Sequence, residues 1–410
     1  MDKERLLARF LRYIGVETTS ADDAEGYPSS PGQLALGKLL VKELRAMGLP
    51  GAHQDEHGLV HATFPPNAGP QAPAIVLCSH LDTSPETTAK DVKPQVLRGY
   101  VGGDVPLPGD RSRVIRVAEN PELGALVGAT LITTDGTTLL GADDKAGVAV
   151  IMEVAESLLE DPSHPRGPVR LLFTCDEEIG RGASRVDVAA LGAAAAYTLD
   201  GQGHDEIDVE TFSADMATVT VLGVNIHPAI AKDRMVNALR AAGRFLDRLP
   251  AELSPERTAG RDGFLHPLRI EGGVDRVVIK VLLRDFVTAQ LAQHAEVLRK
   301  AAALTEAELP GTRITVETRK QYRNMADGMR EDPRAVELAK KAHARLGRTP
   351  KLTVVRGGTD GSQFTERGLP TPNLSCGAHN PHSPLEWACL EEMAQAVEVT
   401  RELVRAWAEA

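Results

Sequence analysis

One change of pattern constrains the fold more than any other feature. Up to about residue 211 the chain alternates helical and strand-like segments, and from about 212 it follows a different order. In the first part, amphipathic helical patterns cover about 2–14 and 31–48, where Leu34, Leu36, Leu39, Leu40 and Leu44 recur at near-helical intervals. The runs AIVLCSH (74–80), VRLLFTC (169–175) and AAAAYTLD (193–200) are short and apolar, as buried strands are, and DKAGVAVIMEVAESLLE (144–160) reads as a helix between them. Helices set between buried strands imply an α/β layer with a mainly parallel sheet. Residues 85–130 are polar and rich in Pro and Gly, so they read as an elaborated loop region. TLITT (130–134) and TLL (138–140) flank Asp135-Gly136, a hairpin signal.

The second part begins with the strand MATVTVLGV (216–224) and a helix over about 229–248. A hairpin at 265–283 turns through Glu271-Gly272-Gly273, followed by a helix over about 287–305 and the strand TRITVETR (312–319). This β-α-β-β-α-β order predicts a small split βαβ domain inserted in the larger one. The α/β pattern then resumes with a helix near 332–347, the strand LTVV and a last helix from about 390. The expected division is 1–211, 212–322 and 323–410, the middle piece being the insertion; at 410 residues, two domains are the starting expectation.

A net charge of −11 disfavours nucleic acid as a partner. No apolar run reaches the roughly 20 residues that a membrane helix needs. The opening MDKERLLARFLRYIG mixes both charge signs at helical spacing, with no apolar core of a signal peptide, so a cytoplasmic protein is expected. Cys78, Cys175, Cys376 and Cys389 lie far apart without a CxxC pair, which reads as buried, reduced thiols and no disulfide framework.

Five places carry chemistry. His80-Leu81-Asp82 ends a buried strand, and side chains two apart on a strand face the same way. Gly141-Ala-Asp-Asp-Lys-Ala-Gly147 opens a helix, where Asp143 or Asp144 could equally cap its N-terminus. It lacks the GxxxxGK[ST] pattern of a phosphate-binding loop. Cys175-Asp-Glu-Glu-Ile-Gly180 follows another buried strand; its three carboxylates repel unless solvated or held by cations. One of them could ligate a metal while its neighbour takes a proton from water. Asp200 ends a further strand, and in Gly377-Ala-His379-Asn-Pro-His382-Ser-Pro-Leu-Glu386 either histidine could be a ligand. In open α/β sheets functional groups gather at the carboxyl ends of strands. A set drawn from these places (His80, Asp143, Glu178, Asp200 and His382) sets three carboxylates against two divalent cations, and one hydroxide closes the charge to zero. Imidazole and carboxylate without thiolate suits zinc, and cobalt or manganese also fits.

SHLDTSP (79–85), TLLGADDKAG (138–147), FTCDEE (173–178), YTLDG (197–201), RGGTDG (356–361) and NPHSPLE (380–386) resemble, in order, the blocks of the dizinc metallopeptidase family that includes carboxypeptidase G and aminoacylases. VGGDVPL (101–107), TLITTDG (130–136), NIHPAIAKDRMVNA (225–238), DGFLHPL (262–268) and RDF (284–286) are similar to its branch of tripeptide aminopeptidases, so the likeness runs along essentially the whole chain. The resemblance implies an enzyme that removes the N-terminal residue of tripeptides with two zinc ions per subunit. It assigns His80 and Asp200 to one metal, Glu178 and His382 to the other, and Asp143 to both, with a cis peptide between Asp143 and Asp144. Asp82 would orient His80, Glu177 would be the general base and acid, and the inserted domain would be a lid. His227 in that lid would stabilise the oxyanion; taken alone, a histidine before Pro228 reads as a turn residue. Arg356, beside a Gly-Gly-Thr turn, would bind a substrate carboxylate, with a structural ion pair as its alternative.

Two departures stand out: Cys175 where proline is common, and the segment after Asn373, LSCGAHNPHSPLEWA, which diverges from the tripeptide branch. Rival readings are a dipeptidase or N-acyl amino acid deacylase on the same scaffold, or an inactive peptide-binding homologue. The expected partner is a small peptide, and a monomer and a homodimer are both compatible with the sequence.

Overall fold

The computed structural model describes residues 1–69 and 71–410 and divides into two compact units. The first comprises Met1–Val209, Met325–Val354 and Thr359–Ala410; the second comprises Glu210–Asn324 and Val355–Gly358.

In the first unit the expected buried strands form the centre of one large sheet. Val169–Thr174, Ile75–His80, Ala195–Gln202 and Asn373–His379 lie side by side in that order, all parallel. Every residue of Ile75–His80 is buried, as its unbroken apolar run requires of a strand covered on both faces. Antiparallel strands extend the sheet on both sides: Val60–Phe64 next to Val169–Thr174, and Trp387–Cys389, Leu131–Thr133 and Gln95–Leu97 beyond Asn373–His379. The helix Ala142–Glu160 packs on the sheet and against the helices Lys3–Ile14 and Leu390–Ala408. All four cysteines are buried and free. Among the described residues, no helix is long and apolar enough to cross a membrane.

Lys3–Ile14 begins at Asp2, whose carboxylate accepts from the main-chain N–H groups of Glu4 and Arg5. It buries Leu6, Leu7, Phe10, Tyr13 and Ile14, one face of a helix. It also carries Arg5 and Arg9 to Glu153, whose side chain is wholly buried in Ala142–Glu160. Arg5 Nη2 lies 2.6 Å from Glu153 Oε1, and Arg9 pairs with both Glu153 and Glu156. Glu153→Ala takes the buried partner from two guanidinium groups, Arg9 keeping Glu156 and Arg5 keeping Glu156 and Glu160, so the expected cost is about 2 kcal/mol, the scale of a lost charged hydrogen bond. A lower urea midpoint of the purified variant, with unchanged far-ultraviolet dichroism before the transition, is the expected result.

The second unit is a four-stranded antiparallel sheet in the order Phe264–Gly272, Arg276–Asp285, Ser213–Leu222, Arg313–Tyr322. Val277, Ile279, Val281 and Leu283 alternate inward along its second strand, and Ala238–Asp247 and Gln290–Glu308 pack with them in one core.

Two local expectations fail. The hairpin about Asp135-Gly136 does not form: Leu131–Thr133 is a strand but 138–140 is not. The N–H groups of that segment are taken elsewhere, Leu139 by the Thr88 carbonyl and Leu140 by the Glu386 carboxylate. Similarly, the helix expected over 229–248 is a short turn at Pro228–Ile230 and a helix only from Ala238 to Asp247. Asn237 restarts it as N-cap, its side chain accepting from Leu239 and Arg240.

Candidate metal centre

His80 is the last residue of Ile75–His80, and Asp200 lies near the carboxyl end of the neighbouring strand Ala195–Gln202. Glu178 follows the strand on the other side, Val169–Thr174, and His382 follows Asn373–His379. Asp143 stands at the start of Ala142–Glu160, where two residues depart from helical geometry and the Asp143–Asp144 peptide is cis. The sheet therefore brings together five side chains from five separate segments.

Asp143 is their centre. Its Oδ1 lies 3.0 Å from His80 Nε2, which is 3.7 Å from Asp200 Oδ1. Its Oδ2 lies 3.4 Å from His382 Nε2, which is 2.8 Å from Glu178 Oε2. The two carboxylate oxygens thus face two separate groups, each of one imidazole and one further carboxylate. Ligand atoms of His80, Asp143 and Glu178 lie within 4.8 Å of one another, and so do those of His80, Asp144 and Asp200. Asp144 is nevertheless committed: its Oδ2 accepts from the Ser79 hydroxyl and, at 3.1 Å, from the His80 N–H.

The outer edges of both imidazoles are held. His80 Nδ1 meets the Asp82 carbonyl at 3.1 Å and the Asp82 carboxylate at 3.4 Å. The same carboxylate accepts from the main-chain N–H groups of Glu177 (3.0 Å) and Glu178 (3.1 Å). Asp82 therefore ties one histidine to the acidic loop. His382 Nδ1 meets Glu86 Oε2 at 3.2 Å, and Thr87 Oγ1 donates to the His382 carbonyl at 2.9 Å. An imidazole whose far nitrogen is held by an acceptor presents the other nitrogen to a metal.

Glu386 fixes the bridge position from behind. Fully buried, it accepts from Leu140 and Gly141 at 2.7 Å through Oε2 and from Asp143 at 2.9 Å through Oε1. Sequence reasoning singles out neither Glu86 nor Glu386 as a site residue. Their only signal is position, one just after SHLDTSP and the other closing NPHSPLE.

Burial raises the carboxyls of Glu178 to about 8 and Asp200 to about 7, the nearby charge of Asp143 adding to both. Burial also acts on Asp143, but hydrogen bonds from His382 and His80 outweigh it and hold its carboxyl low. His382, despite the opposing effect of burial, is pushed up to about 12 by Asp143 and Glu178. Glu178 Oε1 is buried with no hydrogen-bond partner among the described residues. The imidazole and carboxylate donors of this set fit a pair of divalent ions. Without metal, Asp200 and Glu178 keep their protons up to about 7 and 8, and ions must displace them. Affinity for a divalent ion should therefore climb with pH through that window and beyond it, since His382 must also give up its proton, with protons released on binding. Titration calorimetry in buffers of different ionisation enthalpy measures the release; binding without it would mean that the cluster is already deprotonated.

Glu177 stands beside the cluster. Its Oε1 accepts from the main-chain N–H of Asp360 at 3.2 Å, and burial raises its carboxyl well above the ordinary range. His379 lies outside the cluster: buried, stacked on Trp387 at 3.7 Å and bonded to Glu392 at 2.6 Å, it is occupied structurally.

His227 and Arg356 belong to the second unit. His227 is exposed, and its Nδ1 accepts from Ala229 at 3.2 Å. Arg356 has partners of its own: Nη1 donates to the carbonyls of Gly260 (2.8 Å) and Asp262 (3.0 Å), and Nη2 to Thr258 Oγ1 (3.0 Å). Its guanidinium thus ties down the 258–262 loop. Arg284 is the opposite case. Its Nη1 is buried with no partner among the described residues, and its guanidinium lies 5.0 Å from the centre of the Tyr322 ring, whose hydroxyl is also buried and unpaired.

A protein-family model described as peptidase family M20/M25/M40 matches residues 134–406. Peptidase T of Geobacillus thermodenitrificans is 41% identical over 403 residues, covering 98% of both chains. Peptidase T of Bacillus subtilis is 40% identical over 403 residues, again covering 98% of both. Among solved structures, aminopeptidase PepT from Bacillus cereus aligns with a TM-score of 0.75 at 25% identity, over 100% of this chain and 99% of that one.

Proposed function

The chain belongs to peptidase family M20/M25/M40, and from that premise we propose that it is a zinc-dependent aminopeptidase that releases the N-terminal residue of tripeptides. The observation that carries the chemistry is the placement of His80 and Asp200 about one oxygen of Asp143, and of His382 and Glu178 about the other.

In this reading His80 and Asp200 hold one zinc ion, His382 and Glu178 the second, and Asp143 both. When bound, such a pair supplies Lewis acidity, polarising the scissile carbonyl and lowering the pKa of water. Asp82 and Glu86 keep the two imidazoles turned toward the ions. Glu177 takes a proton from the attacking water and returns it to the leaving amine, a task suited to a carboxyl that burial makes more basic. His227, on the resemblance alone, donates to the developing oxyanion. Arg284, whose Nη1 is buried without a partner among the described residues, is proposed beside Arg356 to bind the peptide's terminal carboxylate, because such a donor calls for an anion. The four free, buried cysteines suit a reducing cytoplasm, the location proposed.

Substrate length decides the assignment. The metal-free protein, reloaded with zinc, cobalt or manganese, is offered di-, tri- and tetrapeptides beside N-acyl amino acids. Tripeptides with a free amine should be hydrolysed best, and a preference for acylated substrates would make the enzyme a deacylase. Arg284→Met should raise KM for tripeptides about 10- to 100-fold, the loss of one charged hydrogen-bonded contact, with a smaller change in kcat. Tripeptide amides should show the same weakening with the unaltered enzyme.

A further inference from the structure

The acidic loop holds three consecutive carboxylates, and only two enter the proposed chemistry. Asp176 is completely buried, and its carboxylate is bonded to Ser29 and Gln33. Its φ of 61° is left-handed, a region that few residues other than glycine occupy. Its surroundings account for that conformation. Gln33, also completely buried in the first turn of the helix Pro31–Met47, grips it with both ends of one amide. Gln33 Oε1 accepts from the Asp176 main-chain N–H at 2.9 Å, and Gln33 Nε2 donates to Asp176 Oδ1 at 2.7 Å. The main-chain N–H of Ser29 donates to both carboxylate oxygens, at 3.0 and 2.8 Å, and the Ser29 hydroxyl donates to Oδ1.

We propose that Gln33, seconded by Ser29, is a positioning residue that sets Glu177 and Glu178 through Asp176. The left-handed residue turns the chain sharply out of the strand Val169–Thr174. That turn lets the next two N–H groups reach the two oxygens of Asp82. With main chain fixed at three successive residues, the side chains of Glu177 and Glu178 leave the loop in set directions. Catalytic geometry tolerates little error, and a shift of about 1 Å can cost 100-fold in rate. The clamp comes from a helix 143 positions earlier in the chain. The inference rests on the roles given above to Glu177 and Glu178.

The test exchanges donor and acceptor. Gln33→Glu sets a carboxylate against that of Asp176, whereas Gln33→Glu with Asp176→Asn keeps the bond from the main-chain N–H and restores the side-chain bond with its polarity reversed. For the single variant the expected result is a kcat about 100-fold lower on a tripeptide, with KM within about threefold. One of its two zinc equivalents, the one Glu178 holds, should bind at least about tenfold more weakly by competition with a chelator. The double variant should recover most of both losses. Gln33→Met, which drops the two bonds without adding charge, carries the same expectation at smaller size and serves if Gln33→Glu does not fold. Wild-type kcat and zinc affinity in the single variants overturn the clamp, as does a folded double variant no better than Gln33→Glu. Glu177→Gln runs alongside: if it keeps turnover, the base assignment fails, whereas a dead Glu177→Gln beside a fully active Gln33→Glu sinks the clamp alone.

Discussion

Glu177→Gln should lower kcat by about three orders of magnitude while the protein still takes up two metal ions, within the 10²- to 10⁴-fold range for losing a positioned general base. The side chains about Asp143 leave Glu177 out of both ligand groups, so its loss removes no ligand. The amide is nearly isosteric and can still accept the Asp360 N–H at Oε1. What it cannot do is accept a proton from water and return it to the amine. KM should stay within a few-fold, because the group acts in the transition state more than in binding. Zinc content by mass spectrometry and kcat on one tripeptide settle the matter together. A variant with two zinc ions and near wild-type turnover would take the base role away from Glu177.

The frame of this site can be read from the sequence because a physical rule links short apolar runs to it. A histidine or carboxylate at or near the carboxyl end of a buried strand stands where functional groups gather in such sheets, and His80, Asp200 and Glu178 all lie within four residues of such an end. Asp143 and Asp144 cannot be separated that way, since both open the same helix. The answer lies in the partners of Asp144, Ser79 and the His80 N–H, which leave Asp143 for the cluster. Likewise, the three carboxylates 176–178 look alike in sequence, and only Gln33 and Ser29 mark the first as an anchor. Glu386 acts 246 positions from Leu140, and its capture of the main chain there is also why the expected hairpin is missing. Arg356 is a similar case: its carbonyl partners at 260 and 262 have no signature in residue type. Patterns of apolar spacing report local structure, whereas hydrogen bonds between distant segments depend on the finished fold.

The sharpest test of the two-ion arrangement compares neighbours, Asp143→Asn and Asp144→Asn. In the first, one oxygen of the bridging position becomes an NH₂ group that cannot ligate a cation. Whichever way the amide turns, either the His80 side or the His382 side loses its shared donor. Zinc should fall from two equivalents to one or fewer after dialysis, and kcat by more than about 1,000-fold, because Lewis-acid stabilisation depends on the pair. In the second, the amide oxygen at position 144 can still accept the Ser79 hydroxyl and the His80 N–H, so the strand end stays anchored. Two zinc equivalents should remain, with activity within about tenfold of the unaltered enzyme, the usual scale for a change beside a ligand rather than in one. The comparison is informative because Asp144 also lies within ligand range of His80 and Asp200. If Asp144→Asn lost the metals and Asp143→Asn kept them, the shared ligand would be Asp144, and the geometry assigned to His382 and Glu178 would have no bridge.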